Sequence, residues 1–136
     1  MELNINSPSY FTKQYGVIDE IYSMCRGISK HVENKQYSDL VDIVGITPII
    51  APKDIIEQGL FKQDIKYGFA SVSLWIDYDE YLKADITDKQ IMIVKNILAS
   101  IKTISRKAKI DYKQFCEDIF QYCKLINLPI ESNLKV

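Results

Sequence analysis

Histidine is all but missing from this chain: His31 is the only one in 136 residues. A hydrolase built on imidazole would need that residue beside a nucleophile and an orienting group, and no sequence signature supplies either. His31 reads instead as an exposed polar residue near a helix end, between Lys30 and Glu33. Cysteine is scarce too. Cys25, Cys116 and Cys123 include no Cys-x-x-Cys pair, so neither a zinc ligand set nor any other metal or cofactor is expected. Cys116 and Cys123 sit seven residues apart on a predicted helix, about 10 Å along its axis and too far for a disulfide. All three thiols are expected in the core.

The remaining scarcities exclude further classes. With 5 Gly and 4 Pro, long disordered linkers are not expected. No repeat or low-complexity tract is visible. No Gly-rich loop precedes a helix in the form that cradles phosphate. No apolar run is long enough to cross a bilayer, and the start, Met1 to Asn6, lacks the basic and then apolar pattern of a secretory signal. A cytoplasmic location without membrane contact is therefore expected. Arginine occurs only as Arg26 and Arg106, and the formal net charge is −1. Both weigh against nucleic-acid binding, which favours a basic surface and a groove-reading motif.

What is present suits one domain over residues 1–136, with a hydrophobic content of 47% and length enough for a core without metal or disulfide support. The most regular stretch is Ala70 to Tyr81. Val72, Leu74, Ile76 and Tyr78 alternate with Ser71, Ser73, Trp75 and Asp77, the period of a half-buried strand. At its far end Asp77, Asp79 and Glu80 interleave with Tyr78 and Tyr81, predicting a strand that carries an acidic, aromatic tip towards solvent.

Around that strand the chain reads in order as follows. Leu3 and Ile5 alternate with polar neighbours, predicting a first strand, at the centre or the edge of the sheet. Ser7-Pro8 is a helix start, and Ile18, Ile21, Cys25, Ile28 and Val32 give the buried stripe of a helix over about 9–32. Gly16 and Gly27 each weaken it by roughly 1 kcal/mol relative to alanine. Tyr37 to Ile50 reads as a strand that Pro48 makes an edge strand or bulged. Residues 53–58 are a helical turn or an irregular crossing. Phe61, Ile65, Tyr67 and Phe69 make a third strand, joined near Gly68 to the central one as a hairpin.

Two capping boxes follow, Thr87 with Gln90 and Asp111 with Gln114, stapled by Ile86 on Ile91 and Ile110 on Phe115. The first helix buries Val94, Ile97, Leu98, Ile101 and Ile104 and ends in basic residues, where positive charge is favoured. The second buries Phe115, Ile119, Phe120 and Cys123 and is stopped by Pro129. The fold predicted is α+β, in the order β-α-β-β-β-α-α. Its sheet would have about four strands, largely antiparallel, with helices on one face.

Charge is unevenly placed. From Asp54 to Asp88 eight acids face three lysines, and from Lys89 to Lys113 seven bases face one acid. Asp64, Trp75, Asp77, Asp79, Glu80, Tyr81 and Asp85 are the candidate partner-binding surface, because acidic side chains steer a basic partner and exposed aromatics supply contact area. The carboxylates could bind a hard cation, but their spacing matches no calcium loop. The plainer account is a solvated strand end. The second candidate is the basic helix, with Lys95, Lys102, Arg106 and Lys107 binding nucleic acid; against it, these bases alternate with core residues as on any amphipathic helix.

Two stretches carry a family resemblance. One is YSDLVDIVGITPIIAP from Tyr37 to Pro52, continuing as IEQGL from Ile56. The other is LWIDYDEYLKAD from Leu74 to Asp85, followed by a helix and KIDY from Lys109. Over roughly residues 37–120 the chain resembles the bacterial polymorphic-toxin immunity proteins, in particular the immunity protein 44 family. The resemblance implies a small, non-enzymatic cytoplasmic antidote to a secreted toxin or one delivered by contact, as in contact-dependent inhibition. It would be encoded beside that toxin and would bind and block the toxin's C-terminal domain. It supplies no binding residues, and a homodimer is left open.

Overall fold

A computed structural model describes residues 1–5, 19–52, 63–66 and 68–130. Its elements are strand β1 (Glu2–Ile5), helix α1 (Asp19–Val32), strands β2 (Ile43–Ala51), β3 (Gln63–Lys66) and β4 (Phe69–Asp77), and helices α2 (Tyr78–Lys83), α3 (Ile86–Ala108) and α4 (Tyr112–Leu125). The start expected at Ser7-Pro8, Gly16, residues 53–58, Phe61 and Tyr67 all lie outside the described residues.

The class is α+β, but the sheet is mixed and mostly parallel. Its order is β1-β2-β4-β3, with β1–β2 and β2–β4 parallel and only β3–β4 antiparallel. The largely antiparallel expectation generalised from the hairpin, whereas α1 between β1 and β2 is the crossover that parallel neighbours require. The hairpin itself is present. Gly68, at φ +77°, takes the left-handed turn that a side chain would disfavour. β1 is an edge strand.

Strand β2 is central and begins at Ile43, not Tyr37. Residues 37–42 stay out of the strand because the Ser38 hydroxyl accepts from Leu40 N (3.0 Å) and Val41 N (3.2 Å) and donates to Ala108 O (2.6 Å). Such a turn competes with a sheet ladder for the same backbone groups. Tyr37 and Val41 are buried all the same. Pro48 sits within this central strand, paired with Leu74 on the β4 side. It is tolerated because β1 pairs no further than Ile46, so at Pro48 the flank of β2 facing β1 meets no partner among the described residues.

One face of the sheet carries Leu3, Val44, Ile46, Ile50, Ala70, Val72 and Ile76, all buried. α1 packs on β1, α3 packs on β4 and β2, and α1, α3 and α4 pack on one another. The stripes expected on α3 and α4 are buried as predicted, as are Cys25, Ile28 and Val32 of α1. Gly27 has a positive role: a Cβ there would overlap the Tyr122 hydroxyl, so glycine lets α1 approach α4. All three cysteines are buried and free.

The helix ends refine the capping expectations. Asp111 caps α4, accepting from Gln114 N at 3.1 Å. The return half of that box is diverted, since Gln114 Nε2 donates to Asp118 Oδ1 (3.1 Å) and Asp111 N donates to Tyr37 O (2.8 Å). For α3 the cap is Asp85, accepting from Asp88 N at 2.8 Å, two residues before the Thr87 expected. Ile86 is thus the first helical residue and 41% exposed. α3 closes on Lys109 in the left-handed region (φ 51°). α4 closes through Ile126 and a left-handed Asn127, with Leu128 N donating to Cys123 O (2.8 Å), before Pro129 is reached.

Candidate functional site

Strand β4 does not run out to Tyr81. Asp77, its last residue, turns its carboxylate onto Asp79 N (2.9 Å) and caps α2. Alternation therefore stops at Asp77, because an aspartate in extended conformation (φ −62°, ψ 123°) offers the N–H of Asp79 a side-chain partner. The extended acidic tip is replaced by a short helix. Asp79 and Glu80 lie exposed in its first turn, and Tyr81 turns inward to 3% exposure with Lys89 Nζ 5.1 Å from its ring centroid.

The candidate residues thus divide by role. Trp75, half-buried, Asp77 and Glu80 are brought together with Ile76 and with Met92, Lys95, Asn96 and Ala99 of α3 around a groove of about 700 Å³. Asp79 lies exposed beside it, and Asp85 is exposed while capping α3. Tyr81 belongs to the core. Asp64 stands apart on β3, opposite Ser71, so four residues or about 13 Å along β4 from Trp75.

Three neighbours escaped the sequence reading. Leu82 (55% exposed) and Ile86 lie exposed between the acids of the α2–α3 corner. Once α2 is recognised as helical, Leu82, the residue after buried Tyr81, falls about 100° round the helix from it and so on another face. Asn96 sits on the apolar side of α3, 7% exposed. Its Oδ1 is buried without a hydrogen-bond partner among the described residues.

Elsewhere the chemistry is muted. His31 is half-buried rather than exposed, its ring 5.5 Å from that of Tyr122 and its Nε2 buried without a hydrogen-bond partner among the described residues. Burial pushes the Cys25 thiol up to about 11, against a smaller opposing effect of Arg26, and lifts Cys123 to about 11 as well. Thiols so shifted are poor nucleophiles at neutral pH. Among the described residues no three His, Cys, Asp or Glu side chains gather as metal ligands would, and no helix is long and apolar enough to cross a membrane. Lys95, Lys102, Arg106 and Lys107 all lie exposed on α3.

Residues 1–124 match the sequence model of a family described as immunity protein 44, and the chain belongs to that family. Membership implies a non-enzymatic role. No curated protein and no solved structure matches the chain.

Proposed function

We propose that this protein is the cytoplasmic antidote of a polymorphic or contact-delivered bacterial toxin. It binds the toxin's C-terminal domain and neutralises it by occlusion, without catalysis. The observation that carries this reading is the family match over residues 1–124. The α2–α3 corner is the surface we assign to the contact. There Asp77, Asp79, Glu80 and Asp85 are interspersed in sequence with exposed Leu82 and Ile86, and Asp77 and Glu80 line the Trp75 groove. Apolar anchors within a charged rim are the usual anatomy of a specific interface, and the acids favour a basic toxin surface such as the cleft of a nuclease.

Calorimetry with the toxin domain encoded beside the gene, paired with growth rescue on co-expression, tests the reading. A nanomolar complex with rescue is the expected result. Asp79→Lys with Glu80→Lys should weaken it by about 2–5 kcal/mol if the pair is buried in the complex. These two are better targets than Asp77, whose carboxylate caps a helix. Absence of both binding and rescue would sink the proposal. Steep, salt-dependent binding to DNA or RNA would then favour the basic face of α3.

A further inference from the structure

We infer that two copies of the protein associate through the exposed seam of α3, laid antiparallel about a two-fold axis. This goes beyond the toxin-binding reading and does not depend on it. Asp88, Met92, Lys95, Ala99, Lys102 and Arg106 recur along α3 at spacings of four and three, so they form one line down the helix. All are exposed except Met92, which is half-buried, while Val94, Ile97, Ile101 and Ile104 on the opposite side belong to the core. Among the described residues no ion pair engages Asp88, Lys95, Lys102 or Arg106.

The charges on this face are sorted by end. Asp88 stands in the first turn of α3 and Arg106 in the last. Asp77 and Glu80 add carboxylates towards the acidic end, where they line a groove with Met92, Lys95 and Ala99. Asp77, Glu80 and Asp88 thus balance Lys95, Lys102 and Arg106, but at different levels. A two-fold axis at the level of Ile97 brings Asp88 of one copy opposite Arg106 of the other, Met92 opposite Lys102, and Lys95 opposite Ala99. Each contact then occurs twice, with the two Asp88–Arg106 pairs about 27 Å apart along the axis. Lys102 of the second copy comes level with the part of the groove that Met92 lines. A parallel pairing would set like charge against like, which costs affinity.

A second copy suits this face better than other occupants. A polyanion seated on Lys102 and Arg106 would run on to Asp88, Asp77 and Glu80, and a basic partner seated on those acids would run on to the cations. A second copy answers both halves. Ala99, small and exposed near the centre, lets two helices approach where larger side chains would hold them apart. Met92 and Ala99 are the only apolar members of the seam, so the contact is weak and sensitive to salt.

Sedimentation velocity of the full-length protein at low salt, over about 10–500 µM, tests this. The mass should rise with concentration from the 15.7 kDa of one chain towards twice that. Asp88→Lys and Arg106→Glu each put like charges at both ends of the antiparallel pair and should weaken association about tenfold or more. An equimolar mixture of the two variants sets opposite charges together again and should recover association to within about threefold of wild type. Both side chains are exposed, so neither change should disturb the fold, and recovery on mixing cannot arise from misfolding. Wild-type protein that stays monomeric throughout, or a dimer that both variants leave within about twofold, would overturn the inference. Single variants that lose association without regaining it on mixing would overturn it as well. Because the protein is tested alone, either result leaves the toxin-binding reading where it stood.

Discussion

Replacing Tyr37 by phenylalanine removes one hydroxyl from the centre of the fold. That hydroxyl donates to Asp118 Oδ2 at 2.6 Å across 81 residues of sequence, tying the loop before β2 to α4. The ring itself should stay, because it packs edge-on against Phe115 at 5.3 Å between centroids. What is lost is a hydrogen bond to a charged group that is 5% exposed, about 2 kcal/mol. Gln114 Nε2 at 3.1 Å and Lys35 Nζ at 3.4 Å remain on Oδ1 and keep the loss from growing larger. Unfolding a chain of this length carries an entropy of about 0.3 kcal/mol/K, so the variant should melt about 7 °C lower at neutral pH.

The pH dependence gives that reasoning its sharper check. Burial acts most strongly on Asp118 and would raise its pKa, but hydrogen bonds from Tyr37 and Gln114 and the charge of Lys35 outweigh it and hold the carboxyl below its ordinary 3.8. A depressed folded pKa contributes stability that is complete above the unfolded value and is lost as pH falls through the folded one. Tyr37→Phe raises the folded pKa, so the gap between wild type and variant should be full at pH 7 and narrow below about pH 4. Thermal and urea unfolding at pH 7 and pH 3 would measure it, with Asp118→Asn closing a double-mutant cycle. A melting point within 2 °C of wild type at pH 7, or a gap of equal size at pH 3, would refute this account of the Tyr37–Asp118 bond.

Gly27→Ala should destabilise the protein despite alanine's advantage of about 1 kcal/mol in a helix, because the added methyl meets the Tyr122 hydroxyl. Combined with Tyr122→Ala it should cost less than the two changes summed, as read by urea unfolding. Asp85→Ala removes the α3 cap and should cost about 1 kcal/mol, whereas Asp79→Ala, exposed on α2, should change stability by no more than about 0.5 kcal/mol. With the Cys25 and Cys123 thiols held near 11 by burial and Cys116 fully buried, a thiol reagent at pH 8 should label almost nothing in the native protein. All three cysteines should react in denaturant; rapid native labelling would contradict the burial.

The three long helices were legible because each carries a periodic apolar stripe, whereas the six-residue α2 carries none. Phe115, Ile119 and Cys123 recur on one face of α4, and Asp111 caps it, so pattern and chemistry agree at both scales. Strand direction was not legible in the same way. Whether β2 lies parallel to β4 depends on how the chain crosses between them, and only the Gly68 turn, a local feature, announced its pairing. The segment from Tyr37 to Val41 misled for a related reason: buried residues such as Tyr37 and Val41 need not be strand residues when Ser38 takes up neighbouring backbone N–H groups.

At the candidate surface the sequence reading mistook the local form of the chain. An aspartate at the end of an alternating run can extend the strand or cap a helix, and the two outcomes send the following side chains in different directions. Because Asp77 caps, Tyr81 goes to the core while Leu82 joins the exposed acids. α3 packs on β4, and its Met92 and Asn96 line the groove together with Trp75. A strand continued to Tyr81 would have presented acids on a flat, solvated edge, where exposed charges contribute little. Bent into a helix, the same stretch leaves Asp77 and Glu80 lining a groove with Trp75 and Met92. There a charged partner group can be desolvated and paired at once, and affinity and specificity can both be large.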